Sequence, residues 1–130
     1  MAAQFNHTIV RSADQRRSAR FLADLLGLPA PVEDPPFTGV VLGNGVTLDF
    51  LSVTGPVPSQ HYAFLLEDIE FDDLLRRLHE RGLTYWGGPE HRGEGRINRR
   101  DGGRGVYFDD PDGHALEAIT RPYGGWPTPE

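Results

Sequence analysis

One unit of sequence occurs twice, and this limits the fold more than any single motif does. "FNHTIVR" (5–11) alternates and is rich in β-formers, so it reads as a strand. A helical pattern follows, with Ser18, Phe21, Leu22, Leu25 and Leu26 on one face and Gly27 as its stop. "QHYAFLLE" (60–67) is again a strand, followed by Phe71, Leu74, Leu75 and Leu78 at i, i+3, i+4, i+7 and then by Gly82. His7 precedes Gly27 by 20 residues, and His61 precedes Gly82 by 21. Repetition on this scale sets the topology before any local feature is weighed.

The remainder of each copy reads as a small antiparallel set of strands. Ser12 and Gln15 match a capping box at the start of the first helix. "LPAPVEDPP" (28–36) reads as an irregular, proline-rich connection. "TGVVLG" (38–43) and "VTLDFLSV" (46–53) form a hairpin through Asn44-Gly45. In the second copy Asp68 is the expected N-cap, "LTYWG" a short strand, and the polar segment to about residue 103 a loop. "RGVYFDD" (104–110) and "HALEAIT" (114–120) then pair through the turn Asp110-Pro111-Asp112-Gly113. The expectation is one α+β domain over 1–123, with module one at 5–53, module two at 60–120 and a Pro- and Gly-rich tail at 124–130. Neither copy has enough strands to cover its own sheet face, so the two are expected to pair into a common curved mixed sheet.

Composition narrows the function. A chain of 130 residues with 38% hydrophobic content suits one compact domain. A formal charge of −6 argues against nucleic acid as a partner. No apolar run is long enough to cross a bilayer, and the N-terminus has no basic patch leading into an apolar stretch. With no cysteine, a cytoplasmic location is the expectation, and any metal must be held by His, Asp or Glu.

Three polar residues sit mid-strand among apolar or small neighbours. Phe5, His7 and Ile9 share a face, as do His61, Ala63 and Leu65, and Glu117 lies between Ala115 and Ile119. Burying an unpaired carboxylate is costly, and a cation lowers the cost. Two imidazoles and a carboxylate suit a first-row divalent metal. Asp49 closes the first copy as Glu117 closes the second, so each copy offers one imidazole and one carboxylate. The alternatives are ordinary ones: hydrogen-bonded or exposed strand histidines, a Glu117 paired with arginine, and an Asp49 facing solvent on an edge strand.

"NHTIVRSADQRRSARFLADLLGL", "HYAFLLEDIEFDDLLRRLHERGL" and "GRGVYFDDPDGHALEAI" together resemble the vicinal oxygen chelate superfamily, the glyoxalase, bleomycin-resistance and dioxygenase group. The resemblance runs from residue 5 to about 122, and the strand Glu after "DPDG" is its most specific part. It implies two βαβββ modules forming a cup around a divalent metal, in a single-domain member that works as a homodimer. By position His7, His61 and Glu117 fall on the metal-ligand sites, in the order found in iron-dependent extradiol dioxygenases and fosfomycin-resistance enzymes. Asp49 falls where glyoxalase I has a glutamate ligand; being one methylene shorter, it would bind directly or through water.

The implied activity is that of a metal-dependent lyase, isomerase, transferase or dioxygenase acting on a small oxygenated molecule through Lewis-acid catalysis. The metal is one of Fe, Zn, Mn, Ni or Co. The alternative is a bleomycin-resistance-type protein that sequesters a ligand without turnover. Asp49, Tyr107 and Arg104 are the candidate catalytic groups, with Tyr62 and Trp86 as further candidate pocket walls and Arg104 placed to meet an anionic substrate. The loop at 87–104 carries five arginines against three acids, so it is either an anion-attracting lid or a solvated surface loop. His91 within it is either a base or a bystander, while His79 and His114 read as structural or exposed.

Overall fold

A computed structural model describes residues 2–125; the rest of the 124–130 tail lies outside the described residues. The chain divides into two compact units, one up to Pro58 and one from Ser59 onward.

The first unit runs β1 (His7–Ser12), α1 (Gln15–Leu26), β2 (Val32–Asp34), β3 (Phe37–Val41) and β4 (Thr47–Ser52). Its sheet has the order β1-β4-β3-β2, with β1 parallel to β4 and the other pairs antiparallel. Helix α1 buries Ala19, Leu22, Ala23, Leu25 and Leu26. It lies against β1, β3 and β4, which bury Val10, Val40, Leu48 and Phe50. Each leucine so buried contributes about 1.5–3 kcal/mol relative to exposure. The helix is capped by Asp14, whose carboxylate accepts from the Arg17 N–H. Ser12 does not take that role, because its hydroxyl is held by the Asp14 N–H at 3.0 Å and by Ser18 Oγ at 2.8 Å. Gly27 ends the helix at φ 66°, a left-handed conformation that glycine adopts without a Cβ clash. The proline-rich connection is not wholly irregular: Val32–Asp34 pairs with β3 as an edge strand ahead of the two prolines.

The second unit runs β5 (His61–Leu65), α2 (Asp68–Glu80), β6 (Tyr85–Gly88), β7 (Arg92–Glu94), a short 3-10 turn (Arg100–Gly102), β8 (Gly105–Asp109) and β9 (Ala115–Ile119). The order β5-β9-β8-β6-β7 repeats the first unit's plan, with the opening strand parallel to the closing one. The extra strand β7 lies in the segment expected to be loop; Trp86 and Gly88 pair with Glu94 and Arg92 across it. The N-cap of α2 is Glu67, one residue before the expected Asp68, and the Glu67 N–H donates to the Glu70 carboxylate. Phe71, Leu74 and Leu78 are fully buried, as are Val106, Phe108 and Ala118 of the sheet. The chain thus forms an α+β fold of two βαβββ modules, with its mixed sheet made as two sheets, one per unit. Among the described residues no helix is long and apolar enough to cross a membrane.

Candidate functional site

The turn before β9 fixes the position of the most deeply buried carboxylate. Asp110 Oδ1 accepts from the N–H groups of Asp112 at 2.9 Å and His114 at 2.8 Å, and Gly113 closes the turn at φ 84°. His114 is buried, and its Nδ1 accepts the Gln60 N–H at 3.0 Å, which ties the starts of β5 and β9 together. From that start the alternation of β9 sends Leu116 and Ala118 to the covered face and Ala115, Glu117 and Ile119 to the other. Glu117 therefore lies level with Ala63 on one side and Tyr107 on the other.

Glu117 is 1% exposed and sits within a chain of polar groups. His61 Nδ1 lies 2.9 Å from the Ala115 carbonyl oxygen, which can only accept, so Nδ1 carries the proton. His61 Nε2 then points at Glu117 Oε1, 3.1 Å away. The Tyr107 hydroxyl bonds the Glu117 carboxylate and accepts from Arg100 Nη1 at 3.2 Å. Burial, followed by the Glu117 charge and hydrogen bond, pushes the Tyr107 phenol above its ordinary value, and the Arg100 guanidinium opposes this. No buried side-chain nitrogen or oxygen among the described residues lacks a partner.

This donor set suits a divalent cation. A ligating histidine usually donates its second ring N–H to a carbonyl or carboxylate, which fixes the tautomer and aims the free lone pair. His61 has that arrangement toward Ala115, and a carboxylate stands in front of its free nitrogen. Among the described residues no group of three or more His, Asp or Glu side chains is gathered for a metal.

His7 belongs to the first unit, where its Nδ1 bonds the Asn6 side-chain oxygen at 2.7 Å, and among the described residues its Nε2 has no partner. Asp49 lies on the same sheet face, level with Ile9 and Gly39. A Cβ at residue 39 would stand 3.3 Å from Asp49 Oδ1, so the glycine leaves room for that carboxylate. The two units match in register. His7 pairs with Thr47 and His61 with Ala115, and in each case the acid comes two residues further along the closing strand. Only the longer Glu117 touches its histidine.

A cavity of about 570 Å³ opens beside this chain of groups, lined by His61, Trp86, His91, Tyr107 and Asp109 among others. His61 and Tyr107 stack with centroids 6.2 Å apart. Arg104 does not line the cavity. Its guanidinium lies 4.6 Å from the Phe71 ring centre and bonds Asp72 at 2.7 Å and Asp68 at 3.3 Å, holding the entry to β8 against α2. Tyr62 packs edge-on against His114, and His79 bonds the Tyr85 hydroxyl, so both serve the framework. Sequence reasoning did not single out Arg100, whose role depends on the 3-10 turn that brings it to Tyr107. Nor did it select Asp109, which alternation places two residues beyond Tyr107 on the same face.

Comparison with known proteins bears on the fold and the family. The chain is 33% identical over 90% of its length to the glutathione transferase FosA of Serratia marcescens, covering 80% of that protein. It is 28% identical over 92% of its length to the metallothiol transferase FosB of Staphylococcus saprophyticus, covering 78% of it. The solved structure of oxidase ChaP-H1 superposes with a TM-score of 0.93 at 58% identity, covering 95% of this chain and 100% of the other. All three bear the names of enzymes, which supports an enzymatic activity here. The family model for the Glyoxalase/Bleomycin resistance protein/Dioxygenase superfamily matches residues 4–118, and the chain belongs to that superfamily.

Proposed function

We propose that this protein is a divalent-metal-dependent enzyme that oxidises a small oxygenated molecule, with His7, His61 and Glu117 as the metal ligands. The observation that carries the reading is the His61–Glu117 pair: a buried carboxylate 3.1 Å from an imidazole nitrogen whose tautomer is fixed from behind. The bound metal would supply a Lewis acid that polarises adjacent substrate oxygens. The protein's own groups do the rest. The Ala115 carbonyl orients His61, and the Tyr107 hydroxyl holds the Glu117 carboxylate in place. Arg100 steadies Tyr107, and the cavity beside them receives the substrate. An oxidase reaction is favoured over group transfer because likeness to the oxidase reaches 58% identity, against 33% for the glutathione transferase.

The test is metal content by mass spectrometry on protein purified without chelator, beside Glu117→Ala. Stoichiometric metal in the native protein, lost in the variant, is expected; iron would support oxidase chemistry. No metal in the native protein, and none taken up on reconstitution, refutes the reading. The same preparation is expected to be a homodimer, and a monomer mass by light scattering would overturn that part.

A further inference from the structure

The far wall of the cavity holds a second polar pair that the metal reading does not use. His91 Nε2 lies 2.7 Å from Asp109 Oδ2, and the His91 ring stacks on Trp86 with centroids 4.0 Å apart and planes 18° off parallel. All three residues line the cavity together with His61. The backbone goes out of its way to place this ring. Glu90 and His91 both adopt left-handed conformations, at φ 57° and 59°, where non-glycine residues are uncommon. Two such residues are strained, and the stack and the short hydrogen bond offset that strain.

The hydrogen bond decides what the ring can do. The Asp109 carboxylate accepts, so Nε2 carries the proton, and Nδ1 of the neutral ring has its lone pair free. No partner for Nδ1 exists among the described residues. A carboxylate orienting one ring nitrogen of a cavity-lining histidine, while the other nitrogen has no protein partner, is the arrangement of a positioned proton acceptor.

We propose that His91 is the proton acceptor of this cavity and Asp109 its positioning residue, acting on a ligand that carries an acidic hydroxyl. On transfer the ligand O–H bond breaks and its electron pair stays on oxygen. An Nδ1–H bond forms, and the imidazolium is held against the Asp109 carboxylate. Trp86 keeps the ring plane fixed throughout. The inference rests on the cavity being the substrate site, as proposed above, but it does not need the metal.

The probe is therefore p-nitrophenol, added to metal-free protein at a pH below the probe's own titration. Phenol and phenolate differ in absorbance, and binding is followed separately by calorimetry. The expected result is a phenolate band that grows with occupancy. It should be lost in His91→Phe, which keeps an aromatic ring over Trp86 while removing both nitrogens, and reduced in Asp109→Asn, with calorimetric binding retained in both. A phenolate band unchanged in His91→Phe, binding of the neutral phenol alone, or no binding to the native protein would each overturn the proposal. A merely structural His91 would alter affinity without altering the protonation state of the bound probe. Because no metal is present, failure here leaves the metal-content result standing, and the converse also holds.

Discussion

Replacing Asp110 tests the reasoning about the turn that launches β9. In Asp110→Ala two backbone N–H groups lose their acceptor. That of His114 is buried and that of Asp112 partly so. Losing a buried partner costs about 1–3 kcal/mol and a partly buried one about half as much, so the variant should be destabilised by roughly 2–4 kcal/mol. At about 4 °C per kcal/mol for a chain of this size, Tm should fall by about 8–16 °C. Asp110→Asn separates geometry from charge, because both N–H groups bond the same oxygen and an amide oxygen can accept both. Burial raises the Asp110 carboxyl above its ordinary value, although the His114 and Asp112 N–H groups pull it down. The folded protein thus keeps this proton to higher pH than the unfolded chain does. Its full contribution is present below the ordinary carboxyl value of about 4 and is lost as pH rises through the raised one. The amide does not titrate, so Asp110→Asn should gain on the native protein as pH rises across that window. Urea unfolding followed by circular dichroism at acidic and neutral pH measures both effects. An alanine variant within about 0.5 kcal/mol of native, the range of an ordinary surface change, would refute the hydrogen-bond account. An asparagine variant that loses ground with rising pH would refute the burial account.

Two further outcomes test individual groups. Arg104→Ala should cost about 1–2 kcal/mol through the lost ring contact and ion pairs, with metal uptake unchanged; impaired uptake would return Arg104 to the site. Arg100→Met should raise the Tyr107 titration further, because the guanidinium is the group that lowers it; alkaline tyrosinate absorbance in metal-free protein measures this, and a downward shift refutes the arrangement.

The strands and helices that bury a face were legible in the sequence because burial imposes a period. Phe71, Leu74 and Leu78 mark α2, and the alternation of His61, Ala63 and Leu65 marks β5. The His-and-acid pattern was legible because the repeat made two weak observations into one stronger one. Segments held by backbone pairing alone had no such signal. Strands β2 and β7 are three residues long, with every residue exposed, so nothing in their hydrophobic pattern distinguishes them from loop. The helix caps shifted for a related reason. Ser12 and Asp14 are both good caps, and the contact between the Ser12 and Ser18 hydroxyls, which depends on the fold, decides between them. The His91–Asp109 pair was hidden because two left-handed residues place it, and neither is glycine.

The parallel pairing of first and last strands bears on how the protein is made. Among the described residues of the second unit β5 pairs with β9 alone, and His61 lies 54 residues before the Ala115 that pairs with it. Closing so long a loop delays that contact during folding. On the ribosome β5 waits with an unsatisfied edge until the chain as far as β9 has been released. Glu117 arrives with the strand that ends the wait. A chain cut short before β9 would lack both the partner of β5 and the buried carboxylate of the proposed site. Truncated products should therefore be unfolded and cleared, rather than persisting as folded, inactive competitors for metal or substrate.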